Sequence, residues 1–262
     1  MHVRPVTAAD VPGVVDVGDA AFIDSELNAW VYPHRRAFPE SRRARVLLAI
    51  RTAFAKPGVH GVVCVADSDD PADWPRGQII GYASWERHGP ASDPVVAKYR
   101  EHNTGVFKAV ERTLLGLQSR YVDYFRLDQT VDREAKAVFE KESAEYPNPF
   151  ASVPGHWSLV VLGVHPDWQG KGVGKKIMQW GLERAAAEDV PITLFASPAG
   201  HPFYKRLGFD VVGWATTESV KWSEGGAVMI LDPERRFTRE VTEEERTRDY
   251  FGVKRKIDAV LA

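Results

Sequence analysis

The 262-residue sequence contains a single cysteine, Cys64, and very little imbalance of charge. One cysteine cannot form an intramolecular disulfide or a cysteine-rich zinc site. The 34 Lys and Arg residues against 36 Asp and Glu leave a net charge of −2. That balance does not fit a protein whose main task is to bind a nucleic-acid backbone.

Long apolar runs are also missing. The longest strongly apolar run, Leu159 to Val164, is far too short to span a bilayer, and the first residues lack the apolar core of a signal peptide. Apolar residues make up 44% of the chain and charged residues 27%, which is ordinary globular usage. We therefore expect a cytoplasmic enzyme with no metal and no nucleic-acid or membrane partner.

Strand and helix patterns alternate in the first part of the chain. The predicted elements are a strand at 3–6, a helix that starts at the N-cap Thr7 with Asp10 in the capping-box position, a helix at 39–56, and strands at 60–67 and 78–87. Residues 88–155 carry three helical patterns and are too long for a connection, so we interpret them as a helical insertion. Residues 234–262 form a charge-rich extension that would dock on the core or on a second subunit, which leaves a homodimer open. The expected organisation is a single domain over residues 1–262.

A strand, a glycine-rich loop and a helix follow one another after the insertion. His156 to Val164 is nearly continuously apolar, as in a central strand covered on both faces. Gln169 to Lys176 then leads into an amphipathic helix. This arrangement is typical of phosphate binding, because glycines let the backbone approach the anion and the first helical turn presents free amides.

Two common phosphate motifs do not match this loop. A Walker loop would need Lys followed by Ser or Thr, but Gly174 is followed by two lysines. The dinucleotide fingerprint would need a third glycine at Lys175. Gln169, Gly172 and Gly174 instead form Gln-x-x-Gly-x-Gly, which resembles motif A of the GNAT superfamily of acetyl-CoA-dependent N-acetyltransferases.

Downstream residues extend the resemblance. A short strand pattern, Ile192 to Ala196, precedes Phe203 to Phe209, a segment similar to the second signature of the family. The likeness is tight from Trp157 to Trp214 and looser from Val3 onward. It implies an α/β (α+β) fold with a mixed, mostly antiparallel central sheet, flanking helices and splayed central strands.

The resemblance also implies where acetyl-CoA binds. In this family the pantetheine arm fills the gap beside the splayed central strand like an added strand. The implied contacts are the central-strand residues Leu162, Gly163 and Val164 and, for the diphosphate, the loop residues Gln169, Gly170, Lys171, Gly172, Val173, Gly174 and Lys175.

The catalytic groups follow from the same comparison. Tyr204 matches the usual general acid of the family, which protonates the departing thiolate. Ser158 stands where some members have a catalytic glutamate, and Gly200 stands where an asparagine is frequent. Three candidates therefore remain for the general base: His156, Glu86 and a chain of waters.

The acceptor side is less constrained by the sequence. Aromatic residues suit the wall of a pocket for a small molecule. The candidates are Trp30, Trp85, Tyr124 and Trp157, with Tyr32, Tyr121 and Phe125 as further aromatics. A local basic run, His34-Arg35-Arg36 and Arg42-Arg43-Arg45, is a solvated helix face, a contact for the cofactor's phosphates, or a contact for an acidic substrate.

Together these features predict an acetyl-CoA-dependent N-acetyltransferase whose partner is a small-molecule amine. Acetylation of a protein or peptide is the nearest alternative, and an open groove would favour it. A catalytically silent acyl-CoA-binding regulatory module is the other, and cofactor binding without turnover would favour it.

Overall fold

The computed structural model describes residues 1–71, 73–145, 148–215, 226–234 and 236–237. Within these residues, seven strands form one sheet: β1 (His2–Pro5), β2 (Val59–Val65), β3 (Ile79–His88), β4 (His156–Val164), β5 (Ile192–Ala196), β6 (Asp210–Ala215) and β7 (Gly226–Leu231). The helices are α1 (Val11–Phe22), α2 (Glu26–Val31), α3 (Pro39–Ala55), α4 (Pro94–Arg100), α5 (Val106–Tyr124), α6 (Arg133–Glu145), α7 (Val173–Glu188) and α8 (His201–Arg206).

The strand order is β1-β2-β3-β4-β5-β7-β6. Among the neighbouring strands of the described sheet, only β4 and β5 run parallel. The mixed, mostly antiparallel sheet with flanking helices is therefore confirmed. The predicted bounds of β4 and β5 agree with the structure residue for residue.

Helices cover the sheet on two faces, which we call the α7 face and the α1 face. On the α7 face, Ile177 and Met178 of α7 pack with Trp85 and Trp157 of the sheet in the largest buried cluster. On the α1 face, Val14 and its neighbours in α1 pack with β2, β3 and α3. Because β4 lies in the middle of the sheet, its two faces meet different layers.

The start of α1 follows from local chemistry. The Asp10 carboxylate accepts hydrogen bonds from the N–H and the hydroxyl of Thr7, at 2.7 and 2.8 Å, and pairs with both terminal nitrogens of Arg4. These bonds hold the pKa of Asp10 well below its usual range, with the Arg4 hydrogen bonds as the largest cause. A 3₁₀ turn, Ala8–Asp10, then leads into α1.

Helices α4, α5 and α6 occupy the segment that the sequence predicted as an insertion between β3 and β4. The last predicted feature, the extension over 234–262, lies mostly outside the described residues. No helix in the described part of the chain combines the length and the apolarity that crossing a membrane requires.

Candidate active site

Strand β4 separates from β5 in the middle of the sheet. The two strands pair only over Trp157–Leu159 and Ile192–Leu194, after which β5 continues along β7 while β4 runs on to Val164. Val160 is an extra residue in the β3–β4 ladder, since Trp85 pairs with Leu159 and Ser84 with Val161. A bulge of this kind bends a strand and shifts which face each side chain occupies.

The main-chain groups of β4 can be assigned to the two sides of the strand. The N–H of His165 donates to the carbonyl of Ile80, at 3.1 Å. By the alternation of an antiparallel ladder, Gly163 then also faces β3, while Leu162 and Val164 face the gap left by β5. Two of the three central-strand residues expected to contact the cofactor thus present main-chain groups to that gap.

The glycine loop lies open beyond the end of β4. Gly170 and Gly172 have φ of +73° and +83°, in the left-handed region that glycine adopts without strain, and both are exposed. Gln169 donates from Nε2 to the carbonyl of Val164, at 3.0 Å, so its side chain holds the loop against the strand. Lys171 extends over the ring of Trp74, with Nζ 5.6 Å from the centroid.

Helix α7 begins directly after this loop. The first backbone hydrogen bond of the helix joins the N–H of Lys176 to the carbonyl of Gly172. No described side chain caps the N-terminus of the helix. The N–H groups of Val173, Gly174 and Lys175 therefore have no partner inside the helix, as at any helix N-terminus. Loop and helix together fit an anion such as a diphosphate.

Tyr204 lies on the α7 face, in the same buried cluster as Leu159 of β4 and Ala196 of β5. Its ring is edge-on to Phe203 and Phe209. Burial raises the pKa of Tyr204 well above the ordinary value for a phenol. Within the described residues its hydroxyl has no hydrogen-bond partner, so it is a proton donor available to a ligand.

The two expected base candidates lie together on the α1 face. Glu86 is the cross-strand neighbour of Ser158, and His88 is that of His156. His88 Nε2 is 3.4 Å from Glu86 Oε2, and its ring stacks on that of His156 at 4.9 Å between centroids. His88 joins the two candidates, and period-2 counting from Glu86 could have found it.

The environments of these groups differ. The hydrogen bond with His88 lowers the pKa of Glu86, which keeps the carboxylate ionised. Burial, with the neighbouring His88 as a second cause, lowers the pKa of His156 to about 4. His156 is 6% exposed and contacts the carbonyl of Val153 through Nδ1, at 3.3 Å.

The four aromatic wall candidates are dispersed. Trp85 and Trp157 are fully buried on the α7 face, where Trp157 Nε1 donates to Glu188. Trp30 packs edge-on against Phe139 of α6, and Tyr124 is 81% exposed at the end of α5. None of the four lines the cavity on the α1 face.

That cavity, of about 180 Å³, lies between α1, the start of α2 and α3. Tyr82 of β3 and Val161 of β4 form its floor, directly after the bulge at Val160. The other lining residues are Gly18, Asp19, Phe22, Ile23, Asn28, Arg35, Arg42, Arg45, Val46, Ala49 and Ile50. The basic run in the sequence was the signal for its arginines, whereas its floor was not predicted. A larger cavity of about 460 Å³ lies between α3 and α5, without a strand in its lining.

Comparison with known proteins agrees with this geometry. Residues 134–211 match the family model of the acetyltransferase (GNAT) domain. A protein of Schizosaccharomyces pombe named as an uncharacterized N-acetyltransferase is 24% identical over 238 residues, which cover 88% of this chain and 92% of that protein. The N-acetyltransferase ycf52 of Gracilaria tenuistipitata var. liui is 46% identical over 54 residues, 20% of this chain and 28% of that protein.

A solved structure supports the fold. The structure from Corynebacterium glutamicum described as histone acetyltransferase HPA2 and related acetyltransferase has a TM-score of 0.52 and 22% identity, covering 87% of this chain and 94% of that one. Over residues 134–211 the chain therefore carries a GNAT acetyltransferase domain, and its sheet topology and parted central strands agree with the GNAT fold.

Proposed function

We propose that this acetyltransferase transfers the acetyl group of acetyl-CoA to the amine of a small molecule. The observation that carries the proposal is the gap beside β4. Main-chain groups of Leu162 and Val164 face this gap, and the open N-terminus of α7 lies beyond its end. The cofactor would run along β4 on one side, and the acceptor would enter from the α1 face.

The loop supplies the proposed grip on the diphosphate. The helix dipole contributes only about 0.3–1 kcal/mol at an exposed site, so several N–H groups between Gly170 and Lys175 must act together. Lys171, Lys175 and Lys176 are exposed nearby and add positive charge. Gln169 acts on the cofactor through the loop that it holds.

The reaction requires two proton movements. The amine nitrogen forms a bond to the thioester carbon, the carbon–sulfur bond breaks, the amine loses a proton and the departing thiolate gains one. N–H groups of β4 that face the gap, such as that of Leu162, are suitable donors to the oxyanion.

Tyr204 is the proposed proton donor to the thiolate. The surroundings that make the phenol a weaker acid also make a released thiolate a stronger base. Cys64, in the same cluster, illustrates the effect, because burial raises the pKa of its thiol to about 11. Tyr204 can therefore protonate the thiolate when the two are positioned together.

Glu86 is the proposed proton acceptor. It places an ionised carboxylate beside Ser158, the position where the resemblance expects a glutamate, and its side chain is 31% exposed. His156 is a weaker base at neutral pH because its pKa is about 4. Within this proposal His156 positions His88, which in turn holds Glu86.

The small volume of the cavity between α1, α2 and α3, about 180 Å³, favours a small acceptor over a peptide. The alternative of a catalytically silent acyl-CoA-binding module is tested by turnover, because such a module would bind acetyl-CoA without acetylating any amine. The cytoplasmic location and the homodimer remain predictions from the sequence.

Coenzyme A binding tests the central element. Gly172→Ala should raise the Kd for CoA at least tenfold, because a side chain at φ +83° strains the loop that presents the amides. Gly77→Ala is the matched control, since Gly77 also has φ of +75° and open space around it but lies in the β2–β3 turn. Calorimetry with CoA should show wild-type affinity for the control. Absence of CoA binding by the wild type, or equal losses in both variants, would overturn the proposal.

A further inference from the structure

The cavity on the α1 face holds three guanidinium groups and one carboxylate. Arg42 Nη2 donates to Asp19 Oδ2 at 2.6 Å, so one positive charge is balanced. Arg35 instead donates to two carbonyls, from Nε to Ile23 at 2.6 Å and from Nη1 to Tyr32 at 3.4 Å. Within the described residues Arg35 has no carboxylate partner, so its charge is not neutralised.

Arg45 is also incompletely paired. Its guanidinium carbon lies 3.6 Å above the ring of Tyr32, and its Nε is 4.0 Å from Asp128 Oδ2, beyond hydrogen-bond distance. The Nε atoms of Arg42 and Arg45 are both buried without a hydrogen-bond partner in the described part of the chain. A buried donor without an acceptor is unfavourable, and a ligand that accepts from it removes that penalty.

The position of the cavity decides between two interpretations of the basic run. The glycine loop, which is proposed to bind the cofactor's diphosphate, leads into α7. Helix α7 packs on the opposite face of the sheet from α1 and α3. The three arginines therefore cannot contact the cofactor's phosphates. Their cavity instead ends on Tyr82 and Val161, beside the bulge where β4 leaves β5.

We propose that the acceptor is a small amine that also carries an anionic group, a carboxylate or a phosphate, held by Arg35, Arg42 and Arg45. The inference rests on the proposed function and narrows its substrate class. Guanidinium groups bind both anions through paired, charge-assisted hydrogen bonds. A volume of about 180 Å³ is below the roughly 300–1,000 Å³ of ordinary ligand sites, so the acceptor is about as large as an amino acid.

Matched acceptors test this class directly. Release of CoA from acetyl-CoA would be measured with β-alanine against its amide, γ-aminobutyrate against butylamine, and phosphoethanolamine against ethanolamine. We expect at least one anionic member to exceed its neutral twin by about 10- to 100-fold in kcat/KM, mainly through KM. The carboxylate and phosphate pairs show which anion is preferred. Equal or better use of the neutral twins throughout would overturn the proposal.

Variants locate the effect. Arg35→Gln and Arg45→Gln should remove most of the preference for the anionic twin, and Arg35→Lys, which keeps the charge but not the fork, should be intermediate. Arg36→Gln and Arg43→Gln are the matched controls, because these exposed arginines pair with Asp24 and Asp16 outside the cavity. An equal loss in pocket and control variants would mean a diffuse charge effect and would contradict the proposal.

A binding measurement without acetyl-CoA separates this inference from the proposed function. The Tm would be recorded with γ-aminobutyrate and with inorganic phosphate for the wild type, the controls and the Arg35→Gln/Arg45→Gln double variant. We expect a rise in Tm that only the double variant lacks, even if no amine is turned over. The same rise in every protein, or no rise in any, would overturn the anionic site while leaving CoA binding by the loop to be judged by calorimetry.

Discussion

The surroundings of Tyr204 decide what this one side chain can do. Its side chain lies in an apolar cluster that also contains residues of β4 and β5, and burial raises its pKa, so the phenol stays protonated throughout the neutral range. A protonated phenol can donate to a thiolate but cannot act as a base. The direction of the pKa shift is therefore consistent with the proposed role of Tyr204 as a general acid.

Replacing this hydroxyl tests the role at the scale of one atom. Tyr204→Phe should lower kcat by about 10²-fold, as is typical for loss of a general acid, and should leave the Kd for CoA within about twofold of the wild type. Tyr121→Phe, on the exposed face of α5, is the control. Steady-state kinetics and calorimetry on the three proteins are sufficient. A kcat for Tyr204→Phe equal to that of the wild type would contradict the assignment.

At the scale of elements, the contact between α7 and β3 fixes the position of the helix that follows the glycine loop. A Cβ added at Gly181 would lie within 2.6 Å of Cζ2 and Cζ3 of Trp85, and Trp85 is fully buried. Glycine here lets the helix approach the sheet closely. Strand β3 thus sets the height of α7 above the gap.

Gly181→Ala should therefore destabilise the protein by about 1–3 kcal/mol, as expected for overpacking. Helix propensity alone would favour alanine by about 1 kcal/mol, so the sign of the change separates the two effects. Gly116→Ala in α5 is the matched control, because no atom of the described residues lies within 4 Å of an added Cβ there, and it should stabilise the protein by up to about 1 kcal/mol. Urea unfolding measures the free energy of unfolding of both variants. A stabilised Gly181→Ala variant would show that the contact between α7 and Trp85 has room for a methyl group.

The elements that sequence alone predicted well are those with strong local signals. β4 and β5 are apolar runs with clear ends, and α3 begins at Pro39 and ends just before Pro57-Gly58. α2 was not predicted, because six residues give too few turns for a periodic pattern. Strands β6 and β7 were also missed, although β7 pairs with both β5 and β6.

At the scale of the whole molecule, the sheet separates the two proposed sets of functional groups, which lie on opposite faces. The glycine loop and Tyr204 belong to the α7 face, and the cavity and Glu86 to the α1 face. Sequence indicated the first set because its residues are contiguous or follow a motif. The second set brings together residues from distant parts of the chain, and only tertiary structure shows that Arg35 and Val161 share a cavity.

The predicted aromatic wall also shows the limit of local sequence patterns. Composition favoured large aromatics as a pocket wall, but Trp85 and Trp157 lie in the core under α7 and Tyr124 lies on the outer face of α5. The parity of a residue within its strand decides its face, and the bulge at Val160 changes that parity within β4. No local pattern in the sequence marks such an extra residue.

Buried histidines give the folded molecule as a whole a dependence on pH. The pKa of His156 is about 4 in the folded protein against an ordinary 6.5, and burial also lowers the pKa values of His60 and His102. Above pH 6.5 these imidazoles are neutral in both states. As the pH falls below 6.5, the unfolded chain takes up protons that the folded protein cannot, so the free energy of unfolding decreases.

For His156 alone this decrease is at most about 1.4 kcal/mol per pH unit, or about 2 kcal/mol between pH 6.5 and pH 5. Asp10 and Glu86, whose pKa values are lowered in the folded protein, contribute mainly below pH 5, where the carboxylates of the unfolded chain take up protons. His156→Leu should therefore show a shallower fall in the free energy of unfolding from pH 7.5 to pH 5 than the wild type, whatever its stability at pH 7.5. His34→Leu, at an exposed position before α3, should keep the slope of the wild type. Urea unfolding at several pH values measures these slopes, and an unchanged slope in His156→Leu would show that His156 is not held neutral in the folded protein.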